Sequence, residues 1–160
     1  MAYHGYANLP IPEGEEMVRT ERLVDVLGGM KVLGRRVGTL AELRETVRSG
    51  LPYAALIAVR EKLGLRATEA AAAIHLPQRT VARRRRERRL RADESDRLLR
   101  LARVGAQTAA VLGSDEKAAA WLRRPNRALE GRTPLELLDS DLGARQVEDL
   151  LGRIEHGLFS

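Results

Sequence analysis

The sequence predicts an all-α protein that contains a helix-turn-helix. Hydrophobic residues make up 44% of the chain but Phe, Trp and Tyr only 3%, so the apolar side chains are mostly Leu, Ala and Val, as in packed helices. The six prolines and most of the 14 glycines fall between apolar-periodic runs, where they would end helices. An arginine-rich stretch follows directly on a pattern of small and apolar residues that fits a helix-turn-helix.

Length and composition exclude several classes of protein. A chain of 160 residues forms one domain or two small ones. The absence of cysteine excludes a disulfide framework and a thiolate metal site. No apolar run approaches the ~20 residues that span a bilayer, and no signal segment opens the chain. We therefore expect a cytoplasmic protein that contacts no membrane and uses no cofactor or metal.

Residues 1–17 are predicted to form a flexible tail, because they contain two prolines and three glutamates without periodicity. Tyr3, His4 and Tyr6 could indicate a metal or stacking site here. Scattered aromatic residues in a tail are the simpler interpretation.

Residues 22–34 are predicted to form a short apolar helix or hairpin, interrupted by a turn at Gly28 and Gly29. The segment is too short to bury a core of its own. It should therefore pack on another copy of the chain or on the next helix.

The next two helices are marked by their ends. Thr39 and Glu42 have the spacing of a capping box, and Gly50 should end the helix that follows. Pro52 suits the first turn of the next helix, predicted over residues 53–63.

Residues 66–86 fit the helix-turn-helix pattern. The pattern needs a small residue where the helices cross, and Ala71 is that residue. It needs an apolar pair on the first helix, here Ala70 and Ile74. Leu76 closes the turn, and Val81 anchors the second helix. Pro77 suits the start of the second helix. His75 stands where glycine is usual, since the backbone there is left-handed. Histidine tolerates that conformation, and we interpret His75 as a turn residue rather than a ligand or switch.

A concentration of positive charge begins in the second helix. Residues 79–91 hold eight arginines and one glutamate, a net charge of +7 in a chain of net charge +6. The exposed residues at the start of the helix should meet base edges in a major groove; they are Gln78, Arg79, Ala82 and Arg83. The arginines that follow should meet phosphates; they are Arg84, Arg85, Arg86, Arg88 and Arg89. A solvated basic helix face and an RNA-binding surface are the alternatives.

A long amphipathic helix should follow, because acids at residues 93–96 suit a helix start and apolar or small residues then recur at three- and four-residue spacing to Leu112. This stripe is interpreted as core and dimer contact. Gly105 within it indicates close backbone approach.

The C-terminal third is predicted to form a small helical module. A helix over 115–124 should be capped by Ser114, a short helix should be capped by Thr133 with Pro134 at its first position, and a last helix should cover 142–156. Trp121 is interpreted as a core side chain rather than a ligand-stacking one. Phe159, in the tail after Gly157, is either a last contact on the core or an anchor for a partner.

Several motifs are similar to those of one family. They are Val26-Leu27-Gly28-Gly29, Val32-Leu33-Gly34, Gly50-Leu51-Pro52, Arg79-Thr80-Val81-Ala82-Arg83-Arg84, Glu94-Ser95-Asp96-Arg97-Leu98, Trp121-Leu122-x-x-Pro125-Asn126-x-x-Leu129-x-Gly131-x-x-Pro134-x-x-Leu137-Leu138, Val147-Glu148-x-Leu150-Leu151 and Arg153-Ile154-Glu155-His156-Gly157. Over residues 22–160 the chain resembles the Xre/MbcA/ParS-type antitoxins of RES–Xre toxin–antitoxin pairs.

The resemblance implies an N-terminal dimerisation segment (18–50), a Cro-like helix-turn-helix domain (51–113) and a C-terminal toxin-binding domain (114–160) after the tail. It implies a homodimer whose partners are double-stranded operator DNA and a RES-type toxin that consumes NAD⁺, with the antitoxin blocking the toxin's active site and repressing its own promoter. By extension, the toxin-binding residues are assigned as Arg132, Arg153, Glu155, His156, Leu158, Phe159 and Ser160.

An enzyme is not expected. The chain has three histidines, and none has a metal-ligating partner at helical spacing or stands in a nucleophile–base pattern. The remaining alternative is a free-standing transcriptional repressor without a toxin partner.

Overall fold

The computed structural model describes residues 13–157, which form ten α-helices and one 3-10 turn. The helices are α1 (Glu13–Val26), α2 (Gly29–Leu33), α3 (Leu40–Arg48), α4 (Tyr53–Lys62), α5 (Ala67–Ala73), α6 (Gln78–Glu87), α7 (Ala92–Leu112), α8 (Asp115–Arg123), α9 (Pro134–Leu137) and α10 (Asp141–Glu155), with the 3-10 turn at Arg127–Leu129 between α8 and α9. The all-α prediction is confirmed.

The N-terminal helix begins earlier than predicted. The tail expected over 1–17 is wrong for residues 13–17, which form the start of α1 with acidic side chains in its first turn. Residues 1–12, including Tyr3, His4 and Tyr6, lie outside the described part of the chain. The predicted turn is present: Gly28 and Gly29 have φ of 105° and 76°, a backbone that side chains rarely adopt.

Helix α7 is the centre of the fold. It contacts α1, α3, α4, α8 and α10. Its predicted stripe is buried at Leu98, Leu101, Gly105 and Thr108. Gly105 is crowded, because a Cβ there would meet the terminal carbons of Leu63; the neighbour is a side chain and not the backbone that was predicted.

The N-terminal helices pack within the same chain. Helices α1 and α3 lie on α7, and Leu27 and Leu43 are almost fully buried. Thr39 and Glu42 form the predicted capping box at the start of α3. Pro52 is the N-cap of α4, which begins at Tyr53 as predicted and ends at Lys62, one residue before the predicted end.

One hydrophobic core runs through the described chain. It includes Leu27 of the N-terminal part, Leu98 of α7 and Leu150 and Leu151 of α10. Burying each such side chain stabilises the fold by about 1.5–3 kcal/mol. The N-terminal, middle and C-terminal segments therefore share packing instead of folding around separate cores.

The C-terminal helices match their predicted caps. Ser114 caps α8 and Thr133 caps α9, where Pro134 occupies the first position. Helix α10 begins one residue before the predicted start, with Ser140 as its cap. Trp121 is half-buried against the core, as predicted.

Candidate functional site: a basic recognition helix and a C-terminal binding module

Helices α5 and α6 form the predicted helix-turn-helix. Ala70, Ile74 and Leu76 are buried, and Val81 of α6 packs partly buried against the core. His75 has a left-handed backbone with φ of 56°. The Leu76 N–H donates to the Ala71 carbonyl at 2.9 Å, which closes the turn. These contacts fix the angle at which α6 leaves the core.

The first turns of α6 are open to solvent. Gln78, Arg79, Ala82 and Arg83 are all exposed, at positions that share one side of the helix. Arg79 and Arg83 form no ion pair with any described residue. Their guanidinium groups are therefore available to a partner that enters from this side.

Arg84 was predicted to meet phosphate, and this assignment is wrong. Its side chain is 3% exposed, and its Nε lies 2.8 Å from Glu94 Oε2 while its Nη2 lies 2.9 Å from Oε1. Its Nη1 reaches Glu87 Oε2 at 3.1 Å. All three nitrogens of this guanidinium donate to carboxylates of the same chain, so Arg84 holds α6 against the start of α7.

Sequence reasoning could have placed Arg84 inside. The anchor Val81 faces the core, and a residue three positions later lies on the same side of a helix. Glu94 stands three residues after Arg91, where a carboxylate caps the first turn of α7 by accepting the Arg91 N–H at 2.8 Å. Because residues 83–86 are all arginine, the sequence does not distinguish the one that faces the core from its exposed neighbours.

Burial and pairing act in opposite directions on Glu94. Burial alone would raise the pKa of its carboxyl group. The hydrogen bonds from Arg84 and from the Arg91 backbone, together with the Arg84 charge, outweigh burial and hold the pKa below its ordinary value. The same pairing with Glu94 raises the pKa of Arg84. Both groups are therefore charged at neutral pH.

The segment after α6 is bound to the loop before α4. Arg88 ends α6 with a φ of 60°, and its carbonyl accepts the Tyr53 N–H at 3.0 Å. Arg89 Nη1 donates to the Ser49 and Gly50 carbonyls at 3.3 and 2.9 Å. Part of the Arg89 guanidinium is thus used to end α3. Arg85, Arg86 and Arg88 remain exposed and without an ion pair to described residues.

Sequence analysis missed Ser95, which is completely buried. Its Oγ accepts the Leu51 N–H at 2.7 Å. A serine in the first turn of a helix is expected to be exposed. Only the folded chain shows that its hydroxyl oxygen accepts a hydrogen bond from the loop before α4.

The C-terminal motif with Asn126 and Gly131 forms a closed loop. Asn126 Oδ1 accepts the Ala128 N–H at 2.9 Å, and the Asn126 carbonyl accepts the Gly131 N–H at 2.9 Å. Gly131 has φ of 80°, and Leu129 points into the core with 5% exposure. Asn126, Leu129 and Gly131 therefore each have a structural role in the loop, which presents Arg132 at its end.

The residues assigned to toxin binding that the structure describes lie in two places. Arg132 is exposed before α9, with its Nε 3.9 Å from Glu136 Oε2. Arg153, Glu155 and His156 are exposed in and just after the last turn of α10. Leu158, Phe159 and Ser160 lie outside the described residues.

The described chain offers no obvious site for a metal. In residues 13–157, no group of three or more His, Cys, Asp or Glu side chains is placed to hold an ion. Over the same residues, no helix combines the length and apolar character needed to cross a membrane.

Comparison with known families gives two matches that together cover most of the chain. Residues 42–103 match the antitoxin Xre-like helix-turn-helix domain. Residues 107–157 match the antitoxin Xre/MbcA/ParS C-terminal toxin-binding domain. The first match contains α6 with its exposed arginines, and the second contains the Asn126 loop and α10.

Individual proteins give the same result. An antitoxin Xre of Yersinia enterocolitica is 32% identical over 136 residues, which cover 81% of this chain and 92% of that protein. Antitoxin Xre of Pseudomonas putida is 41% identical over 83 residues, with 51% of this chain and 52% of that protein covered. Antitoxin Xre of Photorhabdus laumondii is 46% identical over 70 residues, with 43% and 47% covered.

Proposed function

The chain belongs to the Xre family of antitoxins, and we propose that it blocks a RES-type, NAD⁺-consuming toxin and represses its own operon by binding operator DNA. The observation that carries this proposal is the presence, in one chain, of a recognition helix with unpaired exposed arginines and a C-terminal module that matches a toxin-binding domain. A cytoplasmic location is part of the proposal, because the promoter and NAD⁺ are found there.

For DNA binding, the proposal assigns different tasks to the two ends of α6. Arg79 and Arg83, near its start, would bond base edges together with Gln78, since Arg suits guanine and Gln suits adenine. Arg85, Arg86 and Arg88 would neutralise phosphates. Arg89 would contribute with the part of its guanidinium that does not end α3.

A homodimer is the third part of the proposal. Among residues 13–157, the large apolar side chains that remain exposed include Met17 and Val18 on α1 and Met30 on α2, which are 53%, 42% and 56% exposed. The N-terminal helices therefore keep apolar surface after packing on α7, and a second copy would bury it. Two recognition helices would then read two half-sites of one operator.

We expect Arg79→Ala and Arg83→Ala to cost about 1–3 kcal/mol of binding free energy on operator DNA and to relax sequence preference, whereas Arg88→Ala should weaken binding to all duplexes alike. Binding titrations on operator and random duplex at several salt concentrations would measure this. Equal losses on both duplexes for all three variants would contradict the assignment of the base-reading residues.

Co-expression with the protein encoded beside this gene tests the toxin. We expect a stable complex on pull-down, and loss of cellular NAD⁺ only when the antitoxin is absent.

Deleting residues 158–160 should leave the fold and DNA binding intact and weaken neutralisation of the toxin. Unchanged neutralisation would move the interface away from the tail, and absence of both complex and toxicity would favour a free-standing repressor.

A further inference from the structure

A groove separates the first helix of the helix-turn-helix from the C-terminal module. Its volume is about 420 Å³. Ala72 and Ala73 of α5 line one wall, and Leu135 of α9 lines the other. Both matched domains therefore contribute to a single concave surface, which combines these apolar side chains with charged ones.

An ion pair joins α5 to α8 at one end of the groove. Arg123 of α8 donates from Nε to Glu69 Oε2 at 3.1 Å and from Nη2 to Glu69 Oε1 at 2.9 Å, and its Nη2 also donates to the Gly64 carbonyl. The hydrogen bond from Arg123 is the main reason that the pKa of Glu69 is lowered. Glu69 also caps α5 by accepting the Arg66 N–H at 2.8 Å, so this end of the groove is tied to the start of that helix.

The groove carries an excess of negative charge. Arg123 and Glu69 neutralise each other at one end, and Arg132 lies 3.9 Å from Glu136 at the other. The remaining charged side chain of the lining is Asp139, which is exposed and forms no ion pair with any residue of 13–157. Each arginine of the lining is paired with a glutamate, so the groove offers a phosphate no free cation among the described residues. A protein segment with a cation beside small apolar side chains fits its charge and shape.

We propose that this groove receives a segment of the toxin that carries an arginine or lysine, and that toxin binding therefore includes α5. The inference rests on the proposed function. The toxin is the favoured occupant because Arg132, Leu135 and Asp139 lie within the matched toxin-binding domain, so the groove continues the surface on which that domain meets its partner. A toxin seated here would touch the helix that positions α6.

Ala72→Gln and Asp139→Asn test the inference, with Ala120→Gln and Asp149→Asn as matched controls. Ala72 is exposed, and glutamine is a good helix former, so the change fills the groove without breaking α5. Ala120 and Asp149 are exposed on α8 and α10 and do not line the groove. The probe is the purified protein of the neighbouring gene. Binding to a random duplex serves as a check on the fold of each variant.

We expect Ala72→Gln and Asp139→Asn each to weaken the complex about tenfold, with both controls within about twofold of the wild type and duplex binding unchanged in all four. Wild-type affinity in both groove variants would overturn the inference and leave the proposed function standing. A loss of toxin affinity in Ala72→Gln alone, with none in Asp139→Asn, would overturn the inference that the bound segment carries a cation. If the unaltered antitoxin does not bind the neighbouring protein, the proposed function fails and the inference fails with it.

Discussion

Arg84→Ala is expected to lower the free energy of unfolding by about 3–5 kcal/mol, because it leaves the Glu94 carboxylate buried without its partner. Three hydrogen bonds join Arg84 to Glu94, and a fourth joins it to Glu87. The same change should weaken DNA binding more than stability alone predicts, since the ion pair fixes the end of α6. Chemical denaturation and titration with duplex DNA at neutral pH would measure both effects.

Arg85→Ala is the matched control, because it removes an arginine from the adjacent exposed position. It should change the free energy of unfolding by less than about 0.5 kcal/mol. The double variant Arg84→Met with Glu94→Leu should recover part of the loss, since it removes both buried charges and fills their volume but gives up the cap that Glu94 makes to the Arg91 N–H. Similar stability in Arg84→Ala and Arg85→Ala would contradict the structural role of Arg84.

The pH dependence of stability gives a second signature of this ion pair. Because the folded protein holds the pKa of Glu94 below its ordinary value of about 4.5, the pair contributes fully at pH values above that value. The contribution is lost as the pH falls through the lower pKa of the folded state. Wild-type stability should therefore fall more steeply in acid than that of Glu94→Gln, and parallel curves would show that Glu94 is not the group responsible.

The sequence predicted best where one residue type has one local task. Thr39, Ser114 and Thr133 have side-chain oxygens that cap helices, and all three do so in the structure. The left-handed backbone at His75 was also predicted, because it follows from a single steric requirement of the turn. These features depend on a few neighbouring residues, and the spacing of those residues is visible without the fold.

The sequence predicted least where the environment of a side chain decides its role. Arg84 and Arg85 are identical residues at adjacent positions, and one is buried against Glu94 while the other is exposed. Arg123 pairs with Glu69 across 54 positions of sequence, and no local pattern indicates that contact. The interdomain groove was missed for the same reason, since its walls come from helices that are distant in the chain.

Gly143→Ala is expected to lower the free energy of unfolding by about 3 kcal/mol, toward the upper end of what an added methyl group costs in a packed core. A Cβ at Gly143 would meet the Leu137 carbonyl oxygen and lie 2.9 Å from the Leu137 carbonyl carbon. These are backbone atoms at the end of α9, which cannot turn aside as a side chain can. Helix α10 would have to move away from α9, and toxin binding by the module should weaken with it.

Gly152→Ala, on the same helix, should have the opposite sign. No atom lies within 4 Å of a Cβ built there, so the change adds helix propensity without a clash and should stabilise the protein by about 0.5–1 kcal/mol. Thermal and chemical unfolding of the two variants isolates packing from propensity, because the substitution and the helix are the same. Equal effects at both positions would show that α10 is free to shift on α9, and that the close approach at Gly143 does not set the shape of the toxin-binding module.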